Sequence, residues 1–445
     1  MTEAIDDRPE WRLVFDKDGD VDQDTIATLL DGIRSTEVTD LVLFSHGWNN
    51  DEQAAKSLYG RWFSLLAVQL DPARKVGFVG IRWPAQLWRD EPIPDFDPSP
   101  TPSGGGAAAL EEKLTIDPGP PTIDESELDD LKEMFPTGAT QLDTIAQLLT
   151  EPPTAAAATA IFDELKAFSA ATVAGNNDGE TQPSNQPGML IDRDPIDVFT
   201  AFSDRMADSG VEFGDGGGTA GLSELTAKIW HGAKEALRQT TYWQMKNRAG
   251  VVGTNGLGPA IAWLAADQPE LRVHLIGHSF GARLVSFALA GLPESDASPV
   301  KSVTLLQGAY SRFAFTDDLP FRDGAGALAG RLNRIDGPLT VCYSSHDRAL
   351  GTLYPIASRL AGSDAAGAED PLFQWRAMGS HGAYDIEPHT IGPVGTSYPF
   401  QPKQIINIDA SEIVTQGDSP SGAHSDIFYP QLAWVAASAG GLTNP

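Results

Sequence analysis

The chain has 445 residues, 31 Lys and Arg against 61 Asp and Glu, a formal net charge of −30 and a single cysteine, Cys342. That length holds a sizeable core, as one large domain with insertions or as more than one domain. The charge argues against nucleic acid and anionic membrane surfaces as partners and disfavours a strongly anionic substrate, and one cysteine excludes an intrachain disulfide.

The opening Met1-Thr2-Glu3-Ala4-Ile5-Asp6-Asp7 is acidic and lacks the basic start and apolar stretch of a signal peptide. No apolar run reaches the length of a transmembrane segment, so a cytoplasmic location is expected. Trp11 to Phe15 reads as an outer, antiparallel strand. The apolar run Asp40-Leu41-Val42-Leu43-Phe44-Ser45 stops at His46-Gly47-Trp48-Asn49-Asn50, as a buried parallel strand ending in a functional loop does. A helix over Glu52 to Leu70 and a strand over Val76 to Arg82 complete a right-handed βαβ unit.

From about Pro84 to Thr240 this pattern stops. Glu91 to Pro121 holds prolines and Ser103-Gly104-Gly105-Gly106; an Ala-rich helix over Ala155 to Ala170 is followed by Asn176-Asn177-Asp178-Gly179 and Gly216-Gly217-Gly218. The stretch 85–240 is expected to be a partly helical cap with flexible loops, inserted into a core made of 1–84 and 241–445. The core resumes with a helix from Tyr242 to Ala266, interrupted by glycines at 250, 253, 256 and 258.

Val273-His274-Leu275-Ile276 then runs into Gly277-His278-Ser279-Phe280-Gly281, and Leu284, Phe287 and Ala288 follow at helical spacing until Gly291 and Pro293. A Gly-x-Ser-x-Gly between a strand and a helix forces a sharp turn that pushes Ser279 Oγ outward, as a nucleophile requires. Further strands are expected at Ser302 to Gln307, Leu339 to Tyr343 and Gln404 to Ile408, with Cys342 a buried structural thiol. Strands alternating with helices give an α/β class with a doubly wound, mostly parallel sheet, whose site lies at the carboxyl ends of the strands.

A serine at neutral pH needs a base, and the base a carboxylate that fixes its tautomer. Asp347 follows the strand ending at Tyr343, where such an acid belongs; Asp317 and Asp318 are the alternatives, and capping of a helix starting near Ala349 is the structural reading of Asp347. His424, on the glycine-rich loop after the last strand, suits the base, with His381 and His389 as competitors and His278 and His346 turned away from Ser279. An oxyanion hole is expected from the backbone N–H groups of Phe280 and Trp48, with His46 a hydrogen bonder beneath the loop. Trp48, Trp83 and Trp88 follow core strands at the carboxyl end and are candidates for the walls of an apolar substrate pocket, Trp83 and Trp88 foremost; anchoring of the cap by one or two of them is the structural alternative.

With Phe44-Ser45-His46-Gly47-Trp48 as oxyanion loop and Gly277-His278-Ser279-Phe280-Gly281 as elbow, the chain resembles the α/β-hydrolase superfamily, its elbow being similar to those of lipases and carboxylesterases. Together with Arg248-Ala249-Gly250-Val251-Val252-Gly253 it also resembles poorly characterised bacterial serine hydrolases of that fold. The resemblance covers 38–84 and 241–440, and none of 85–240. It implies transfer of an acyl group to water without naming the acyl group. The leading expectation is hydrolysis of a small-molecule or lipid-like carboxylic ester by Ser279, His424 and Asp347; an amidase or peptidase with the same triad and a non-catalytic partner-binding protein are the alternatives. No metal-ligand spacing or dinucleotide loop is present, so no cofactor is expected.

Overall fold

In the computed structural model of the chain, residues 3–48, 50–85, 88, 121–172, 188–190, 193–208, 222–295, 297–353, 373–417 and 422–444 are described. The strands among them are β1 (Glu3–Ile5), β2 (Arg8–Val14), β3 (Asp40–Ser45), β4 (Val76–Arg82), β5 (Arg272–His278), β6 (Val300–Leu306), β7 (Leu339–Tyr343), β8 (Pro388–Thr390) and β9 (Ile405–Asp409). They form one sheet in the order β1-β2-β4-β3-β5-β6-β7-β9-β8, and every pair except β1 with β2 is parallel. This is an α/β fold with a mostly parallel sheet.

The apolar strands divide their side chains by the two-residue period of a strand. Leu41, Leu43, Val79, Ile81, Val273 and Leu275 enter one buried cluster. Val42, Phe44, Val76, Phe78 and Ile276 enter another, on the opposite face. Helices cover both. Asp22 and Asp51 cap α1 (Gln23–Thr36) and α2 (Glu52–Ala67) by accepting the N–H groups of Thr25 and Ala54 at 2.8 and 2.7 Å.

The strand at Trp11 differs from the sequence expectation. It lies one place in from the edge and parallel to β4, with only the three-residue β1 running antiparallel outside it. The reason is the α1 crossover, which carries the chain back over the sheet so that the strands on either side of it point the same way.

The stretch 121–208 is helical where it is described: α3 (Glu125–Met134), α4 (Ala139–Leu148), α5 (Ala155–Ala171) and α6 (Pro195–Asp208). The expected loop runs at 91–120, 176–179 and 216–218 lie outside the described residues. Leu131, Phe135, Ile161, Phe162, Leu165 and Phe199 from these helices join the same buried cluster as Val273 and Leu275 of the sheet. The segment therefore shares its core with one face of the sheet.

The helix expected from Tyr242 is much longer. It starts as α7 (Leu222–Val251), passes through a π-helical turn at Val252–Leu257 and continues as α8 (Gly258–Asp267). The glycines do not interrupt it. A Cβ on Gly253 would stand 2.3 Å from the Leu284 carbonyl, so this glycine lets the turn press against α9 (Phe280–Gly291). Among the described residues no helix is long and apolar enough to cross a membrane.

Candidate active site

The turn between β5 and α9 holds Ser279 at φ 56° and ψ −122°, a conformation that a side-chain-bearing residue adopts only under constraint. The constraint is visible on both sides. A Cβ on Gly277 would stand 2.4 Å from the Gly281 carbonyl, and one on Gly281 only 2.0 Å from the Ser45 carbonyl. Helix α9 can therefore begin directly beneath the end of β3. Ser279 N–H donates to Leu306 O at 3.1 Å, and Ser279 O accepts from Ala282 and Ala309.

Asp347 and His424 meet Ser279 from two other strand ends. His424 Nε2 lies 2.9 Å from Ser279 Oγ, and His424 Nδ1 lies 2.8 Å from Asp347 Oδ2. All three are buried. Asp347 Oδ1 accepts the N–H of Leu350 at 2.9 Å, so the carboxylate caps the turn at Ala349–Leu353 with one oxygen and holds the imidazole with the other. The two loops are stitched by an isolated bridge between Asp347 and Gly422 and by Ala423 N–H on His346 O at 3.0 Å.

The other carboxylates and histidines stand apart from this group. Asp317 and Asp318 are exposed on the loop beyond β6. His389 is exposed on edge strand β8, His381 Nδ1 pairs with Ser380 Oγ, and His346 contributes its backbone. His278 turns to the loop of His424: its Nε2–H donates to His424 O at 2.8 Å, and the two rings lie 5.0 Å apart. Burial pushes its pKa down to about 3, so it is neutral at physiological pH.

The loop after β3 approaches Ser279 closely. A Cβ on Gly47 would come within 2.7 Å of Ser279 Cβ, so only glycine fits there. Three successive carbonyls of this loop are held from behind. His46 O accepts from Trp83 Nε1–H at 3.1 Å, Gly47 O from His46 Nδ1–H at 2.9 Å, and Trp48 O from Asn50 Nδ2–H at 2.9 Å. In a trans peptide the N–H points opposite to the C=O; the Trp48 N–H is thus directed away from the His46 ring. Tyr59 of α2 adds a further tie, accepting His46 N–H at 3.1 Å and donating to Ile81 O. Burial pushes His46 down to about 4, which keeps it a neutral hydrogen bonder under the loop.

The tryptophans differ from expectation. Trp83 is 4% exposed and stacks on the His46 ring at 5.7 Å, its N–H spent on the loop carbonyl. Trp88 is 2% exposed, donates to Thr241 Oγ1 at 2.9 Å and lies under the Arg238 guanidinium. Neither ring presents an open face to a ligand. Both anchor the frame, because an indole with a buried N–H is held wherever an acceptor waits. The half-buried Trp48 packs instead against Tyr242 of α7 and Phe280, at 4.8 and 6.3 Å between ring centres. Cys342 is buried on β7 with its thiol pushed up to about 12, as an inert structural group.

Two contributors were not apparent from sequence. Gln307, just past β6, reaches both Asp347 and the carbonyl of Ala423, and Asn50 shapes the loop at Gly47. Gln307 directly follows an apolar strand and Asn50 lies in a polar loop, and only the tertiary fold brings their amides to the site. Among the described residues, no group of three or more His, Cys, Asp or Glu is placed to hold a metal ion. Compared with known protein families, curated proteins and solved structures, the chain matches none.

Proposed function

We propose that the chain is a serine hydrolase of the α/β-hydrolase type that cleaves carboxylic esters through an acyl-enzyme on Ser279. One observation carries this reading: a serine at a strained strand-to-helix turn lies 2.9 Å from an imidazole whose other nitrogen is 2.8 Å from a buried carboxylate.

In this mechanism Ser279 Oγ attacks the ester carbonyl as its proton passes to His424 Nε2. Asp347 holds the tautomer that leaves Nε2 free to accept and stabilises the imidazolium that forms. The oxyanion is received by the N–H of Phe280, the first residue of α9, and by that of Trp48. The first N–H groups of a helix have no intrahelical acceptor, and the helix dipole favours negative charge there. His424 returns its proton to the departing alcohol. Water then repeats the cycle on the acyl-enzyme, giving up a proton to His424 and releasing the acid.

Within this reading, 85–240 is a cap inserted into the hydrolase core. Helix α7 runs from the end of the cap into the core, where its Tyr242 packs against Trp48 and Phe280, so the helix that leaves the cap bears on the loop that receives the oxyanion. The test is hydrolysis of a p-nitrophenyl ester series from acetate to long acyl chains, with labelling by a fluorophosphonate. Turnover and labelling by the wild type, both lost in Ser279→Ala, are expected. A Ser279→Ala protein that keeps its esterase activity overturns the assignment. The anilide of the best acyl group, assayed beside the ester, separates an esterase from an amidase.

A further inference from the structure

We infer that Gln307 is a positioning residue for the His424 base, a role that rests on the hydrolase reading above. Gln307 follows β6 directly, is 3% exposed, and is held at φ 47°, in the left-handed region. Such a conformation in a residue with a side chain needs support from its surroundings. The support is present: Gln307 N–H donates to Cys342 O at 2.9 Å, and Gly379 packs so closely that a Cβ there would stand 2.2 Å from the Gln307 carbonyl carbon.

This backbone turn aims the side-chain amide between two loops. Its Nε2 donates to Ala423 O, the carbonyl before His424, and lies 3.4 Å from Asp347 Oδ2, the oxygen that also holds His424 Nδ1. One NH₂ group thus spans the acid and the loop of the base. His278 secures the next carbonyl, His424 O, from the β5 side. Two side chains from neighbouring strand ends fix two consecutive carbonyls of a glycine-containing loop that must keep an imidazole in line with Ser279 Oγ.

The amide also moderates the carboxylate. A donor on Asp347 Oδ2 draws off part of the negative charge that would otherwise favour the imidazolium. Among the described residues, Asp347, from the loop after β7, and His278, from β5, are titratable groups packed on the His424 ring. His278 stays neutral through the working range, so the Gln307 contribution is read on the Asp347–His424 pair.

The experiment compares wild type with Gln307→Met, which keeps length and loses both N–H donors, and Gln307→Leu, which loses them in a shorter, branched side chain. Ester turnover is followed from pH 5 to 9, with thermal unfolding as the check on folding. For Gln307→Met, kcat is expected to fall about 10- to 100-fold with KM within twofold, and the acid limb of the pH profile to move up. For Gln307→Leu, which lacks the same donors, a fall in kcat and an upward movement of the limb in the same direction are expected. A folded Gln307→Met with wild-type kcat and an unmoved limb overturns the inference. Should that variant fail to fold, Gln307→Leu is read in the same way: a lowered kcat with a raised limb supports the role, and a wild-type kcat with an unmoved limb overturns it. A wild-type protein that neither turns over esters nor labels with fluorophosphonate removes the hydrolase reading itself, and this role with it.

Discussion

The sheet carries Ser, His and Asp in a hydrogen-bonded series at both of its ends. At the carboxyl end stand Ser279, His424 and Asp347. At the amino end, Asp40 of β3, His274 of β5 and Ser302 of β6 make a second series, with His274 Nε2 3.2 Å from Asp40 Oδ1 and Nδ1 3.0 Å from Ser302 Oγ. The residue types agree and the surroundings do not. Ser302 sits within β6 opposite His274, beside a register shift in the pairing, with no strained turn and no helix beginning after it. The imidazole is reversed, and Asp40 is shared with Arg272 at 3.3 Å, Arg74 at 3.7 Å and Thr39 at 2.8 Å. Burial works against the Asp40 charge, but the hydrogen bonds from His274 and Thr39 and the arginine outweigh it and hold the carboxyl below its usual range. The same arginines grip the carbonyls of Gly440 and Gly441, at 3.1 and 2.9 Å. This second series ties the end of the chain to the sheet. On the hydrolase reading, three residue types in series do not by themselves make a nucleophile; the elbow, the helix N-terminus and the glycine loop are what set Ser279 apart.

Substitutions paired across the two ends put that contrast at risk. Ser279→Ala is expected to lower kcat by about 10⁴-fold or more, whereas Ser302→Ala leaves ester turnover within twofold and costs about 1 kcal/mol in urea unfolding. Loss of turnover in a fully folded Ser302→Ala would erase the distinction. Asp347→Asn follows, with up to about 10⁴-fold lost in kcat through the wrong tautomer of His424. Its counterpart Asp40→Asn is expected to spare the rate and to cost about 2 kcal/mol, because hydrogen bonds to a charged group are lost.

Each series also has a glycine pressed against it. Gly47→Ala should reduce kcat about 100-fold by displacing the loop that faces Ser279. A Cβ on Gly440 would stand 2.8 Å from His274 Nδ1, so Gly440→Ala should cost about 1–3 kcal/mol of stability with the rate unchanged. A Gly47→Ala enzyme with full activity would separate that loop from the chemistry.

A last effect is on acid stability. His46 and His278 are held by burial at about 4 and about 3, below the 6.5 of an unfolded chain. Their folded pKa values are lowered, so the unfolded chain binds more protons below pH 6.5. The stability they contribute is complete above 6.5 and declines by up to about 1.4 kcal/mol per histidine per pH unit as pH falls towards 4. Urea unfolding at pH 7, 6 and 5 measures this, and His278→Gln should flatten the curve. A curve that is already flat in the wild type would mean that these rings are charged or solvated in the fold.

The carboxyl-end group was legible because its parts are local. A strand that runs into Gly277-His278-Ser279-Phe280-Gly281, an aspartate after β7 and a histidine after β9 each declare themselves within a few residues. The amino-end group was not, since Asp40, His274 and Ser302 look like ordinary strand residues until β3, β5 and β6 are laid side by side. The anchoring of Trp83 and Trp88 was not legible for the same reason: their acceptors, His46 O and Thr241 Oγ1, lie 37 and 153 positions away in sequence. The helical run through 222–267 was hidden by glycines, which weaken a helix by propensity but here make room for α9. The short edge strand β8 has no apolar pattern to reveal it, all three of its residues being exposed.

The placing of β5 beside β3 has a consequence for how the chain reaches its fold. The pairing runs from Asp40 opposite Arg272 to Ser45 opposite Gly277, across the whole of 46–271. Loop-closure entropy opposes so distant a pairing until the segments between are ordered. During synthesis β2, β3 and β4 emerge early, but the free side of β3 has no partner until residues 272–278 appear, on the order of 10–40 s later at ordinary rates of elongation. For that interval the nascent chain displays the open edge of an apolar strand, Leu41-Val42-Leu43-Phe44, the kind of edge that invites pairing with another chain. Ordering of the helices described within 121–208, whose backbone hydrogen bonds are local, shortens the loop between β3 and β5 and so lowers the closure cost of that central pairing.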